Sequence, residues 1–179
     1  LSSPDEDDPR AVFTLHEKLG EGSYGSVWRA THIKTGVDYA IKRIAIDDDL
    51  DDLEQEIDFM RTCCNDAVVR YYGSYISHSE LWMAMEYCSA GSVADLMKAT
   101  ERTLNVPQIQ LVTRCALHGL QYLHSLHKIH RDVKCANILL NSEGKGKLAD
   151  FGVSGQLNYT MARRHTVIGT VCSLLTLAT

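Results

Sequence analysis

His130-Arg131-Asp132-Val133-Lys134-Cys135-Ala136-Asn137 decides how the chain is read. Lys134 stands two residues after Asp132, Asn137 three further on, and Asp150-Phe151-Gly152 begins thirteen residues after Asn137. A carboxylate that accepts a hydroxyl proton, an ammonium group that reaches a transferring phosphate and oxygen ligands for a metal are what one phosphoryl group needs around it. His-Arg-Asp alone would be a weak signal; the combination leaves little room for chance. Between the two metal ligands, Ile138-Leu139-Leu140 and Lys147-Leu148-Ala149 flank the polar turn Asn141 to Gly146 and read as a short hairpin. Asn137 leads into one strand and Asp150 leaves the other, so both oxygen donors fall at one edge. Mg2+ takes such donors and fills its remaining positions with phosphate oxygens and water.

Working back from the loop, Asn105 followed three residues later by Gln108 is a capping pair. Ile109, Val112, Ala116, Leu120 and Leu123 then repeat at helical spacing, which predicts a helix of nearly four turns. A shorter helix is expected over Val93 to Lys98. His118, His124 and His127 find no ligand partner in the pattern and read as surface or satisfied core histidines, with His130 belonging to the loop rather than to a metal-binding HxxH.

The first half reads differently. Phe13 to Leu19 and Val27 to Thr31 are strand-like and enclose Gly20-Glu21-Gly22-Ser23-Tyr24-Gly25-Ser26-Val27. Strand, glycine turn, strand is a hairpin; a dinucleotide fingerprint needs a helix after its glycines, and a Walker loop needs the Gly-Lys-Ser/Thr ending that is absent here. Glycines at such a turn let backbone N–H groups fold over phosphate oxygens, although a tight turn alone would also use them. In a third strand, Asp38 to Ile44, Lys42 shares a face with the small Ala40, which is either an exposed lysine or one waiting for an anion. The acidic run Asp47 to Asp52 suits a helix N-terminus. Leu53, Ile57 and Met60 mark that helix's apolar stripe, and Glu56 lies beside it, solvated or paired with Lys42. Val68 to Tyr75 and Glu80 to Tyr87 complete five strands, after which Glu86-Tyr87-Cys88-Ser89-Ala90-Gly91-Ser92 is an ordinary loop or a hinge with backbone groups for an adenine edge. A small antiparallel lobe of five strands and one helix, followed by a mostly helical part, is an α+β fold.

Composition agrees with one globular chain. The 179 residues carry a formal net charge of −5 with both signs interspersed, so no basic surface points to nucleic acid. The six cysteines lack paired CxxC spacing, which favours buried thiols in a reducing compartment. No eighteen-residue apolar run suggests a membrane span, and the acidic N-terminus is unlike a signal peptide. A soluble cytoplasmic protein is expected, with the nucleus as a second location. Residues 1 to 10, polar and interrupted by Pro4 and Pro9, are expected to be a flexible lead-in.

In order and spacing, the glycine hairpin, Ala40-Ile41-Lys42, Glu56, His130 to Asn137 and Asp150 to Gly152 resemble the eukaryotic protein kinases, and Asp-Val-Lys is their serine/threonine form. Glu-Lys-Leu-Gly-Glu-Gly-Ser-Tyr-Gly-Ser-Val, Val-Val-Arg-Tyr-Tyr-Gly-Ser-Tyr and Thr-Val-Ile-Gly-Thr look more narrowly like the sterile-twenty family, Hippo-type members above all. The resemblance implies ATP with Mg2+ as cofactors and protein Ser/Thr substrates. It implies that Leu19, Gly20, Glu21, Gly22, Ser23, Tyr24, Gly25, Val27, Ala40, Lys42 and Leu139 surround the nucleotide, with Met85 as gatekeeper and Glu86 and Cys88 as hinge contacts. It makes Lys42, Glu56, Asp132 and Lys134 catalytic, Asn137 and Asp150 the metal ligands, and Met60, Tyr71, Phe151 and His130 a stacked spine. Thr166 then corresponds to the activating phosphosite and Thr170 to a threonine that helps select Ser/Thr acceptors, while Arg131 is the arginine expected to receive the added phosphate.

The resemblance covers residues 11 to 170, divided into a small lobe to residue 88 and a large lobe from 89. After Thr170 the chain reads Val171-Cys172-Ser173-Leu174-Leu175-Thr176-Leu177-Ala178-Thr179, where these kinases continue with a proline, an aromatic and Trp-Met-Ala-Pro-Glu. The expectation is a large lobe truncated after its activation segment. The helical dimerisation region of Hippo-type kinases is not in the sequence, so dimerisation is not expected to carry over. Two other readings stand beside that of a kinase: an ATP-binding fragment with little turnover, and an interaction fragment acting through exposed helices.

Overall fold

A computed structural model describes residues 8–22, 25–46, 57–58 and 60–150, together with the backbone of 155–156. The chain divides into two compact units, Leu1–Cys64 with Arg70–Tyr87, and Asn65–Val69 with Cys88–Thr179.

The first unit is built on an antiparallel sheet of β1 (Phe13–Gly22), β2 (Gly25–His32), β3 (Asp38–Ala45), β4 (Tyr71–Ser77) and β5 (Glu80–Glu86) in the order β1-β2-β3-β5-β4. Alternation along these strands sends Phe13, Ala30, Ile41, Trp82 and Ala84 to one face, where they are buried together and flanked by Val12, Leu15, Tyr39 and Tyr75. Phe13 meets Tyr75 and Tyr39 edge-on at 5.4 and 5.6 Å between ring centroids, the geometry that the aromatic quadrupole favours. Arg43 lies over the Trp82 ring at 4.9 Å and bonds both oxygens of Glu80.

A short helix, α1 (Pro9–Val12), belongs to this core. Asp8 caps it by accepting Arg10 N–H at 3.0 Å, Ser77 Oγ donates to the same oxygen at 3.4 Å, and Pro9 is fully buried. Asp8 to Arg10, the end of the stretch expected to be a flexible lead-in, thus take part in this cap and core contact, one buried proline and a satisfied cap offsetting their polarity. Residues 1–7 lie outside the described residues. Ile57, Asp58, Met60 and Arg61 are helical and Met60 is buried, where the stripe predicts it; Leu53 and Glu56 lie outside the described residues.

The second unit contains α2 (Val93–Thr100), α3 (Val106–Ser125), β6 (Lys128–Ile129), a 3-10 turn at Cys135–Asn137, the hairpin β7 (Ile138–Leu140) and β8 (Gly146–Leu148), and β9 (Gly155–Gln156), which pairs with β6. The predicted cap of α3 is present in both directions, Gln108 N–H to Asn105 Oδ1 at 3.0 Å and Asn105 N–H to Gln108 Oε1 at 2.9 Å. Val112, Ala116, Gly119 and Leu123 form its buried line, with Ile109 and Leu120 half-buried beside it. Gly119 is what lets α3 approach β8, since a Cβ there would lie 2.7 Å from Leu148 Cδ1 and 2.9 Å from the Ala67 carbonyl oxygen. Leu111 and Leu117 lie on the outer side of the helix, 51% and 58% exposed.

The fourth strand begins at Tyr71 rather than at Val68. Leu148 N–H donates to Ala67 O and Val69 N–H to Leu148 O, so the backbone of Asn65–Val69 is taken up by β8 in the second unit. Of the five described cysteines all are free thiols; Cys63 and Cys88 are buried as expected, but Cys64 is exposed and Cys115 and Cys135 are partly so. Among the described residues no helix is long and apolar enough to cross a membrane.

Candidate active site

In the first unit the glycine stretch is the hairpin that its flanks predict. β1 and β2 pair down to Gly22 opposite Gly25, with Ser23 and Tyr24 outside the described residues. Gly25 has φ +135°, and a side chain there would run onto the Arg43 carbonyl oxygen, so only glycine fits. Register places Val27 opposite Lys42 and Ala40 opposite Met85; the two β3 positions are two apart, so Val27, Ala40, Lys42 and Met85 share one sheet face. That face is opposite the one that carries Phe13 and Trp82, and it offers an apolar surface beside one ammonium group. Irregularities in β1 around Lys18 leave Leu19 out of the ladder and 45% exposed. Glu86 N–H donates to Arg70 O at 2.8 Å, so any nucleotide contact made by the Glu86 backbone has to come from its carbonyl.

In the second unit the loop after β6 is fastened at each chemically active position. His130 is fully buried; Nε2 faces the Ala149 carbonyl oxygen at 3.0 Å and Nδ1 accepts Asp132 N–H at 3.3 Å. A carbonyl can only accept, so the proton sits on Nε2 and the ring is neutral. Burial holds its pKa below the ordinary histidine value, against the opposing pull of the Ala149 carbonyl, Asp132 and Asp150. Arg131 has φ +68°, a left-handed backbone that turns the chain between the inward His130 and Asp132.

Asp132 is the focus of the loop. Its Oδ2 accepts Lys134 Nζ at 2.7 Å and Asn137 Nδ2 at 3.0 Å, and its carbonyl accepts Asn137 Nδ2 at 2.9 Å. Its side chain is 14% exposed, so these charge-assisted bonds form under partial desolvation and hold the carboxylate in one orientation. Asn137 is buried; its amide spends its N–H groups on Asp132, which turns the other end, an oxygen, toward whatever ligand arrives. Ala149 N–H donates to Asn137 O at 2.9 Å, pinning the ends of the β7–β8 hairpin together, and Asp150 follows with φ +61° and an exposed carboxylate. An amide oxygen and a carboxylate oxygen at one hairpin edge suit Mg2+, provided that phosphate oxygens complete the shell. Among the described residues no group of three or more His, Cys, Asp or Glu could hold a metal unaided.

Residues 13–172 match the family model of the protein kinase domain. The chain belongs to the protein kinase family. It is 57% identical over 163 residues to serine/threonine-protein kinase 4 homolog A of Dictyostelium discoideum, covering 91% of this chain and 35% of that protein. It is 56% identical over 162 residues to serine/threonine-protein kinase cst-1 of Caenorhabditis elegans, covering 90% of this chain and 33% of that protein. The chain thus spans about a third of the length of these curated relatives. Within the kinase family its likeness is to the sterile-twenty, Hippo-type members.

Measured against the family motifs, the second unit brings Asp132, Lys134 and Asn137 into mutual hydrogen bonding and sets Asp150 next to the hairpin end that Asn137 begins. Leu139 is half-buried on β7, and Cys88 is buried with its carbonyl accepting Gly91 N–H at 3.1 Å. Glu56, Thr166 and Thr170 lie outside the described residues, as do Phe151 and Gly152. Sequence reasoning missed the capping box of α2, in which Ser92 and Asp95 bond each other. Ser-x-x-Asp ahead of an apolar run was the signal for it.

Proposed function

We propose that the chain binds ATP with Mg2+ and transfers the γ-phosphate to a protein serine or threonine hydroxyl, in the cytoplasm. The Asp132 cluster carries this reading: a carboxylate oriented by a lysine and by a buried asparagine is a poised acceptor for a hydroxyl proton. As the acceptor oxygen forms its bond to the γ-phosphorus, its proton passes to Asp132 and the bond to the bridging oxygen of ADP breaks. Lys134 offsets the negative charge on the group in transit. Lys42 holds the α- and β-phosphates with Glu56 behind it, and the glycine hairpin covers them with backbone N–H groups. Val27 and Ala40 offer the adenine an apolar strand face, with Met85 beside Ala40 on that face. Mg2+ on Asn137 and Asp150 would neutralise charge on the β- and γ-phosphate oxygens. Thr166 is the site whose phosphate Arg131 receives, and Thr170 favours Ser/Thr acceptors.

The test is transfer of labelled phosphate from ATP to a basic protein by the 179-residue chain, compared with its Asp132→Asn variant. Loss of the base is expected to lower the rate by about 100-fold or more. Equal rates for the two forms would refute the role given to Asp132. Nucleotide binding without transfer would favour the reading of an ATP-binding fragment.

A further inference from the structure

The loop that carries Asp132 is also braced by a part of the second unit that the phosphoryl-transfer motifs do not include. Ser92 caps α2 and Asp95 is its third helical residue. Ser92 Oγ donates to Asp95 Oδ2 at 2.6 Å, Ser92 N–H donates to the same oxygen at 3.0 Å, and Asp95 N–H returns to Ser92 Oγ at 3.0 Å. Ser92 is buried and Asp95 is exposed. The residues just before Ser92 are paired with β7: Ala90 N–H donates to Leu140 O at 3.1 Å, Leu140 N–H donates to Gly91 O at 2.8 Å, and Ser92 bridges Leu139. β7 begins immediately after Asn137, whose side chain holds Asp132, and α2 packs against the 3-10 turn that contains Asn137.

We propose that Asp95 is a positioning residue for phosphoryl transfer. By closing the box on Ser92 it keeps residues 90–92 against β7, and β7 in turn fixes Asn137 and through it Asp132. This rests on the kinase reading above. An exposed carboxylate on an eight-residue helix would otherwise be silent in the reaction. Loss of a cap of this kind shifts a local opening equilibrium about fivefold.

Asp95→Ala removes both bonds to Oδ2, whereas Asp95→Asn keeps an acceptor oxygen in that place. In Asp95→Ala the Leu140 amide is expected to exchange with solvent about three to ten times faster, and in Asp95→Asn at nearly the parent rate. In the transfer assay, kcat is expected to fall in Asp95→Ala with KM for ATP unchanged, and to recover in Asp95→Asn. Should Asp95→Ala fail to fold, Ser92→Ala, which keeps the Ser92 N–H bond and likewise loses two of the three bonds, is read in the same way and is expected to show a comparable effect. A raised KM with unchanged kcat would mean that the box serves nucleotide binding alone, and the proposal would be wrong. Unchanged exchange at Leu140 would also overturn it, and that readout needs no phosphate transfer, so its failure is separable from failure of the kinase reading.

Discussion

Gly119→Ala sets two opposing effects against each other at the centre of the second unit. In an exposed helix interior the change would stabilise by about 1 kcal/mol, because alanine loses less backbone entropy. At this position the new methyl would lie 2.7 Å from Leu148 Cδ1, 2.9 Å from Leu148 Cγ and 2.9 Å from Ala67 O. Neither neighbour can step aside cheaply. Leu148 is fully buried, and the Ala67 carbonyl is held by Leu148 N–H at 2.9 Å while Leu148 O is held by Val69 N–H at 2.8 Å. Overpacking of this kind costs about 1–3 kcal/mol, so the net effect is a loss of about 0–2 kcal/mol, centred near 1. For a chain of this size that lowers Tm by about 2–4 °C. Calorimetry gives the shift, and amide exchange at Leu148 shows whether the opening is local to the hairpin. A variant more stable than the parent would refute the reasoning, because the propensity gain could win only if α3 sat farther from β8 than these contacts allow.

Three further outcomes are expected. Gly25→Ala should destabilise the first unit by about 1–3 kcal/mol, through its positive φ and the collision with the Arg43 carbonyl, and urea unfolding followed by tryptophan fluorescence would report it because both tryptophans lie in that sheet. Deleting residues 1–10 should cost about 1–2 kcal/mol in the same measurement, whereas a truly flexible lead-in would cost nothing. Burial depresses the pKa of His130, so the folded chain binds fewer protons there than the unfolded chain; this contribution to stability is fully present above about pH 6.5 and is lost as pH falls toward the folded pKa. In a histidine NMR titration, assigned with His130→Gln, the His130 ring should stay neutral below pH 6.5, and protonation above that value would contradict the buried, neutral ring.

Much of the site was legible because its chemistry is local in sequence. Asp132, Lys134 and Asn137 lie within six residues, and a short loop can bring only nearby side chains onto one carboxylate. The hairpins at Gly20–Val27 and Ile138–Ala149, and the Asn105–Gln108 cap, were readable for the same reason: strand alternation and capping pairs are short-range patterns. The shared face of Ala40 and Lys42 followed from alternation alone, but which residues stand opposite them required register, since Met85 and Val27 reach β3 from other strands.

What the sequence by itself determined, then, is the chemistry of the loop from His130 to Asn137, the two hairpins and the order of strands before helices, all written in spacings of a few residues. Only the tertiary structure decided that His130 is buried and neutral between Asp132 and Ala149, and that Asn65–Val69 leaves the first unit for β8. It also decided that Pro9 joins the core and that residues 90–92 pair with β7, the strand leading out of Asn137. Each depends on a hydrogen bond or a burial that a distant segment supplies, and no local pattern encodes which distant segment that will be.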